Sequence, residues 1–162
     1  MDTQRDVLDL LCENARYDTA DIARQLGAPE EEVAAAIDAL ESDGAIRGYQ
    51  AVVDWESVAE ERVRAFVECN VTLDRETGYD DIAARLVKFD EVRTLRLVSG
   101  DYDFALTVEA DSMSELSRFV SEQIAPVPEV TQTVTHFIME SYKEAGIEFG
   151  DGHDDDRLSV TP

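Results

Sequence analysis

The chain has 162 residues, 44% of them apolar, and carries 37 Asp and Glu against 14 Lys and Arg, a formal net charge of -23. That length fits one ordinary domain or two small ones. No run is long and apolar enough to span a membrane, and the start, MDTQRDVLDLL, lacks the basic-then-apolar layout of a secretory signal, so a cytoplasmic protein is expected.

Two readings of the acidity compete: a protein that avoids nucleic acid, or one adapted to molar salt, where dense surface carboxylates stay hydrated while their repulsion is screened. The acids are spread over both halves, and only Lys88 and Lys143 accompany twelve arginines. That distribution favours salt adaptation. The two cysteines, Cys12 and Cys69, have neither the density of a disulfide scaffold nor metal-ligand spacing, and both are expected in the core.

Taken in chain order, Val7, Leu8, Leu11 and Ala15 recur at helical spacing and predict a first helix over residues 2–15. Asp18 or Thr19 can cap a second, about two turns long, with Ile22, Ala23 and Leu26 on one face and Gly27 as its stop. Pro29 suits the start of a third helix, Glu30 to Glu32 sit at its positive end, and Val33, Ala36, Ile37 and Leu40 form its inner stripe before Asp43-Gly44. Residues 45–54 hold two short β-prone pieces around Gly48, a small hairpin wing. Helix, short helix, tight turn, helix and wing make a winged helix-turn-helix over 1–54.

After a polar connector at 55–61, the period falls to two: Val63, Ala65, Val67, Cys69, Val71 and Leu73 alternate with polar residues and Phe66. A helix over 79–89, a strand over 92–98, a turn at Gly100-Asp101-Tyr102-Asp103 and a strand over 104–109 follow. A second helix then turns Met113, Leu116, Phe119, Val120 and Ile124 inward until Pro126, and a last strand covers 130–142. The order β-α-β-β-α-β predicts an α+β, ferredoxin-like domain over 62–145 with four antiparallel strands and two helices on one face. The other face, bearing one of the two alternating rows of the last strand, is expected to pair with a second copy. Residues 146–162 are acidic, Gly-containing and aperiodic, and are expected to be disordered.

Two stretches together resemble the Lrp/AsnC (feast/famine) family: NARYDTADIARQLGAPEEEVAAAIDALESDGAIRGYQAVVD at 14–54 and RLVSGDYDFALTVEADS at 96–112. Arg16 matches the family's Arg before helix two, Ile22-Ala23 its Leu/Ile-Ala pair, Leu40 to Ile46 its Leu-Glu-x-x-Gly-x-Ile turn, and Gly100 to Asp103 the turn of its effector domain. The resemblance implies a regulator of this family, and the dispersed acids mark it as a salt-adapted, haloarchaeal-type member. Such a protein binds double-stranded DNA, forms a homodimer that can build to a tetramer or octamer, and senses a small metabolite, typically an amino acid, between dimers. It implies DNA contacts from the third helix, here Glu31, Glu32 and Ala35, and from Arg16 and Arg47. The effector site it implies is Gly100, Asp101, Tyr102 and Asp103, with Ser99, Thr133 and Thr135 as hydroxyl donors. A glycine there lets the backbone approach a ligand carboxylate, although a structural β-turn explains the motif almost as well.

One departure from the family pattern concerns charge. Residues 1–54 contain four arginines, no lysine and thirteen acids, whereas phosphate neutralisation normally supplies much of DNA affinity. An effector-binding or protein-interaction module of the same fold that has lost DNA binding is therefore the alternative, and a siroheme-decarboxylase-like enzyme a third. His136 stands nearly alone for tetrapyrrole chemistry, and no hydrolase, P-loop, dinucleotide or zincin motif occurs, so a non-enzyme without cofactor or metal is expected.

Overall fold

The computed structural model describes residues 3–58 and 62–149. The chain divides into two compact units, with the boundary between Val52 and Val53. The connector expected at 55–61 therefore begins inside the second unit: Asp54 caps a single 3-10 turn, Trp55–Ser57, and the Arg62 guanidinium lies 4.2 Å from the centre of the Trp55 ring.

The first unit contains α1 (Thr3–Glu13), α2 (Thr19–Leu26) and α3 (Glu30–Ser42). Their apolar stripes meet in one cluster of Val7, Leu11, Ile22, Ala23, Val33, Ala36 and Leu40, each removed from water because helical spacing brings i, i+3 and i+4 to the same side. The first helix ends two residues before Ala15, which is exposed, and Cys12 is on its outer side instead of in the core. Asp18 caps α2 by accepting the Asp21 N–H at 2.7 Å, and Gly27, in the left-handed region at φ 64°, ends it. A left-handed residue at this place makes the chain turn sharply into α3 at little cost only for glycine.

The wing differs from expectation. Residues 46–54 run without paired strands, since a short two-stranded hairpin with no further sheet to join is marginal in water. The segment is instead tied back onto α3: Ile46 N–H donates to the Leu40 carbonyl at 2.9 Å, and Tyr49 O–H donates to the Glu41 carboxylate at 2.9 Å.

The second unit is a four-stranded antiparallel sheet in the order β2-β3-β1-β4, formed by β1 (Val63–Val71), β2 (Val92–Leu97), β3 (Phe104–Ala110) and β4 (Val130–Phe137). Helices α4 (Tyr79–Leu86) and α5 (Met113–Phe119), the latter running on into a π-helical turn, Val120–Ile124, supply the rest of the βαββαβ fold. Ala65, Val67 and Cys69 of β1, Phe104, Leu106 and Val108 of β3, Ile82 and Leu86 of α4 and Leu116 and Ile124 behind α5 make the core. Met113, expected inward, is 53% exposed because it occupies the first helical position after the Ser112 cap, ahead of the buried stripe.

The last strand stops at Phe137, short of the expected 142. The chain then folds into a small hairpin, β5 (Lys143–Glu144) with β6 (Ile147–Glu148), turning through Ala145 and Gly146 at positive φ. Residues 146–149, expected to be disordered, belong to this hairpin, and 150–162 lie outside the described residues. The hairpin is held by Glu144, whose two oxygens accept both terminal nitrogens of Arg64 at 2.7 and 2.8 Å.

Candidate functional site

In the first unit, the residues expected to meet DNA fall around α2, the Gly27 turn and α3. Glu31 and Ala35 are one turn apart and exposed on the outer flank of α3, and Asp38 continues the same side. Glu32 is also exposed, but its carboxylate accepts the Thr3 hydroxyl at 2.7 Å and so braces α1 against the start of α3. Arg16 is exposed in the α1–α2 turn, and its backbone N–H donates to the Asn14 side chain. Arg47 lies beyond the end of α3, where its Nε donates to the Gly44 carbonyl at 3.0 Å. Arg24, the remaining cation of α2, is paired with Asp21. The flank therefore presents a helix with an outer row of acids and small residues, bracketed by two guanidinium groups.

In the second unit, the turn at 99–103 joins β2 to β3. Gly100 has φ 146°, a conformation that side chains disfavour, and a Cβ added there would meet nothing within 4 Å, so the requirement for glycine comes from the backbone alone. Ser99, Gly100 and Asp101 are exposed at the tip. Tyr102 folds back over the helix-free face of the sheet, edge-on to Phe66 of β1 with ring centres 6.1 Å apart. Phe66 in turn neighbours His136 at 6.1 Å, and His136 Nε2 is 3.1 Å from Glu68.

Asp103 points elsewhere. Its Oδ2 accepts the Val71 N–H at 2.8 Å, its Oδ1 accepts the Tyr79 O–H at 3.1 Å, its own N–H donates to the Cys69 carbonyl at 3.1 Å, and its carbonyl accepts the Val98 N–H at 2.9 Å. The carboxylate holds the Tyr79 phenol above its ordinary value chiefly through that hydrogen bond. Burial, with help from the Asp103 charge, pushes the Cys69 thiol up to about 11.

The sheet register separates the remaining candidates from Tyr102. Thr133 pairs with Cys69 and Thr135 with Val67. Directly opposed residues of antiparallel strands share a face, so both threonines are on the helix-covered side at the β4 edge. Tyr102, Phe66 and His136 occupy the other face. Thr133 is two strands from Phe104, about 10 Å across the sheet. Tyr79 was missed by sequence reading, and only its place behind the Gly78 cap hinted at a special role.

A cleft of about 540 Å³ opens at the opposite end of the same sheet, where Arg62, Arg93, Glu109, Asp111, Arg118 and Glu122 are part of its wall. Arg62, Arg64 and Arg93 converge on the single carboxylate of Glu109 at 3.7, 3.1 and 3.2 Å. Arg64 is shared between Glu109 and Glu144 and Arg62 between Glu109 and the Trp55 ring, and the cleft is at the end of the sheet opposite the 99–103 turn. Among the described residues, no group of three or more His, Cys, Asp or Glu side chains is placed to hold a metal.

Comparison with known proteins decides the family. The model of the Lrp/AsnC ligand-binding domain matches residues 64–147, and that of a winged helix-turn-helix DNA-binding domain matches residues 2–47. The chain belongs to the Lrp/AsnC family of transcriptional regulators. A Bacillus subtilis protein of this type, the uncharacterized HTH-type transcriptional regulator YugG, is 39% identical over 98% of this chain and 96% of its own length. The proline dehydrogenase transcriptional activator of Rhodobacter capsulatus is 29% identical over 88% of this chain and 92% of its own. Among solved structures, a feast or famine regulatory protein from M. tuberculosis complexed with L-methionine superposes with a TM-score of 0.72 at 26% identity, covering 88% of this chain and 94% of that one. The Lrp/AsnC chain described above thus joins a DNA-binding head to a ligand-binding ferredoxin-like domain, and no helix among the described residues is long and apolar enough to cross a membrane.

Proposed function

We propose that the protein is a cytoplasmic, non-enzymatic transcription regulator that senses a free amino acid at the 99–102 turn and responds by changing how its copies pack. The observation that carries this reading is the backbone at Gly100. An exposed turn held at φ 146° with open space on its Cβ side leaves its N–H groups accessible to a carboxylate, a group every amino acid carries. The L-methionine complex of the M. tuberculosis relative supports the ligand class.

The sheet's helix-free face, where half-buried Phe66 and Tyr102 meet and half-buried Val134 shares the β4 row with His136, is the surface through which the protein forms a homodimer, with tetramers or octamers built from it. Arg16, Arg47 and the outer flank of α3 with Glu31, Glu32 and Ala35 meet the DNA. The dispersed acids make molar salt the working condition of a halophilic protein, where repulsion between head and phosphates is screened and several weak contacts from an oligomer add up. Ser99, Gly100, Asp101 and Tyr102 form the effector contact, with Thr133 and Thr135 reaching it only from a neighbouring copy.

Calorimetric titration of the intact chain with the twenty amino acids in molar KCl tests this reading. Saturable binding of at least one, weakened by Gly100→Val, is the expected result. Silence towards all of them would end the sensor assignment.

A further inference from the structure

Within the 99–103 turn the two aromatic-acid neighbours do opposite things. Tyr102 is seated on Phe66 on the helix-free face, whereas the carboxylate of Asp103, the residue before β3, is turned into the chain and bridges two other elements: the last residue of β1 through Val71 N–H and the first residue of α4 through Tyr79 O–H. Tyr79 is held in turn, edge-on to Phe104 with ring centres 5.9 Å apart. Both oxygens of Asp103 are taken by these internal donors, and its backbone N–H and carbonyl are taken by Cys69 and Val98. A carboxylate engaged in this way is fixed in orientation, and detaching it to meet a ligand would leave the Val71 N–H without an acceptor at a half-buried site.

We infer that Asp103 is a positioning residue: with Tyr79 it clamps the root of the 99–102 turn, so that the turn presents its backbone N–H groups in one conformation and Tyr102 stays on the helix-free face. The inference rests on the effector reading of the turn but reassigns one of its members, because the sequence motif alone made Asp103 a direct ligand contact. The clamp also gives the turn a route to the rest of the domain. A ligand that pulls the turn outward works against the Asp103 bridge, and one that fits the clamped conformation is bound without a reordering cost.

The test is amide hydrogen exchange on the full-length chain without added ligand, in wild type, Tyr79→Phe, Asp103→Ala and Asp103→Asn. Losing one net hydrogen bond at the clamp is expected to speed exchange of the bonded amides at the root of the turn, Val98 and Asp103, by roughly two- to tenfold in Tyr79→Phe, and by more in Asp103→Ala, which also frees the Val71 N–H, with the rest of β1, β3 and the core unchanged. Asn keeps an acceptor for Val71 and an N–H₂ that can donate to the Tyr79 oxygen, so Asp103→Asn is expected to restore most of the protection. Unchanged exchange in the turn overturns the clamp. Faster exchange over the whole domain also overturns it, since Asp103 would then serve general stability.

A second arm titrates the same proteins with L-methionine, the ligand of the M. tuberculosis relative. Weaker binding in Asp103→Ala with rescue by Asn supports positioning, and equal affinity in all four overturns it. If wild type itself ignores L-methionine, the choice of effector has failed and the exchange result alone decides the clamp.

Discussion

Replacing Glu31 with lysine should make DNA binding markedly more sensitive to salt. The wild-type head, residues 1–54, has four arginines, and one of them, Arg24, is already paired with Asp21. At a slope of about -0.9 per neutralised phosphate, the three others set a ceiling of about -2.7 per head on the dependence of log K on log salt. Glu31 is exposed on the outer flank of α3, one turn before Ala35, and makes no hydrogen bond or ion pair among the described residues. In Glu31→Lys each head gains one phosphate contact and loses one repulsive charge, so the slope should steepen by about 0.9 per head, or about 1.8 for two heads on one duplex. Fluorescence anisotropy of a labelled duplex between roughly 0.1 and 1 M KCl measures it, the upper end lying where screening reaches about 3 Å. The substitution also removes an acid from the positive end of α3, a cost of about 0.3–1 kcal/mol, so a thermal melt must accompany the titration. A folded Glu31→Lys protein with unchanged slope and affinity would show that this flank does not face DNA, and the head would need another binding surface.

Other perturbations test the scaffold that holds these surfaces. Asp18→Ala removes the acceptor of the Asp21 N–H and should cost the head about 1 kcal/mol, read as a lower midpoint in urea. Leu106→Ala empties a fully buried site between the sheet and its helices and should cost about 2–5 kcal/mol. Trp55, the only tryptophan and part of the second unit, reports that loss by fluorescence, and a shift of under 1 kcal/mol would mean the site collapses around the gap. The Glu144 carboxyl is held below its ordinary 4.5 mainly by its hydrogen bond to Arg64. Because the folded value is the lower one, the stabilising contribution is present above 4.5 and fades as pH falls through the folded value. Nuclear magnetic resonance of the Arg64 side-chain N–H should show the hairpin contact persisting to below pH 4.5, and a transition at or above that value would refute the pair.

Much of this was legible in the residue order because the fold is written in apolar spacing, and the acids do not disturb it. The stripes Val7-Leu11, Ile22-Ala23 and Val33-Ala36-Leu40 were readable as three inner helix faces, and the alternation from Val63 as a strand buried on one side. What local pattern could not supply was pairing. The wing pieces around Gly48 have β propensity but no third strand to join, and the 143–148 hairpin has little propensity but gains the Arg64 to Glu144 contact from a strand eighty residues earlier. The effector motif was equally divided. The glycine before the strand permits the positive φ seen at Gly100, whereas the inward turn of Asp103 depends on Tyr79, which is distant in sequence and meets it only once α4 is docked on the sheet. That Thr133 and Thr135 lie on the face away from Tyr102 within one copy depends on strand register, which residue order alone does not show.

The contrast between fold and charge has a physical resolution. Family membership fixes where α3 and its flanking arginines go, since packing of buried stripes is indifferent to which polar residues occupy the outer flank. Affinity for a polyanion depends on the charges presented around that flank, and here Glu31 and Asp38 oppose what Arg16 and Arg47 favour. A single head with this surface is a weak binder at any salt that does not screen the acids. In the proposed homodimer, heads joined through their second domains would bind as one unit with an effective concentration set by the connector, which multiplies weak contacts without a new one. The geometry of that joining then governs DNA affinity more than it would in a basic head. In the proposed assembly, a change in how sheet faces meet, driven from the turn that carries Tyr102, would act on a binding energy that has little margin and so would have a large effect on occupancy.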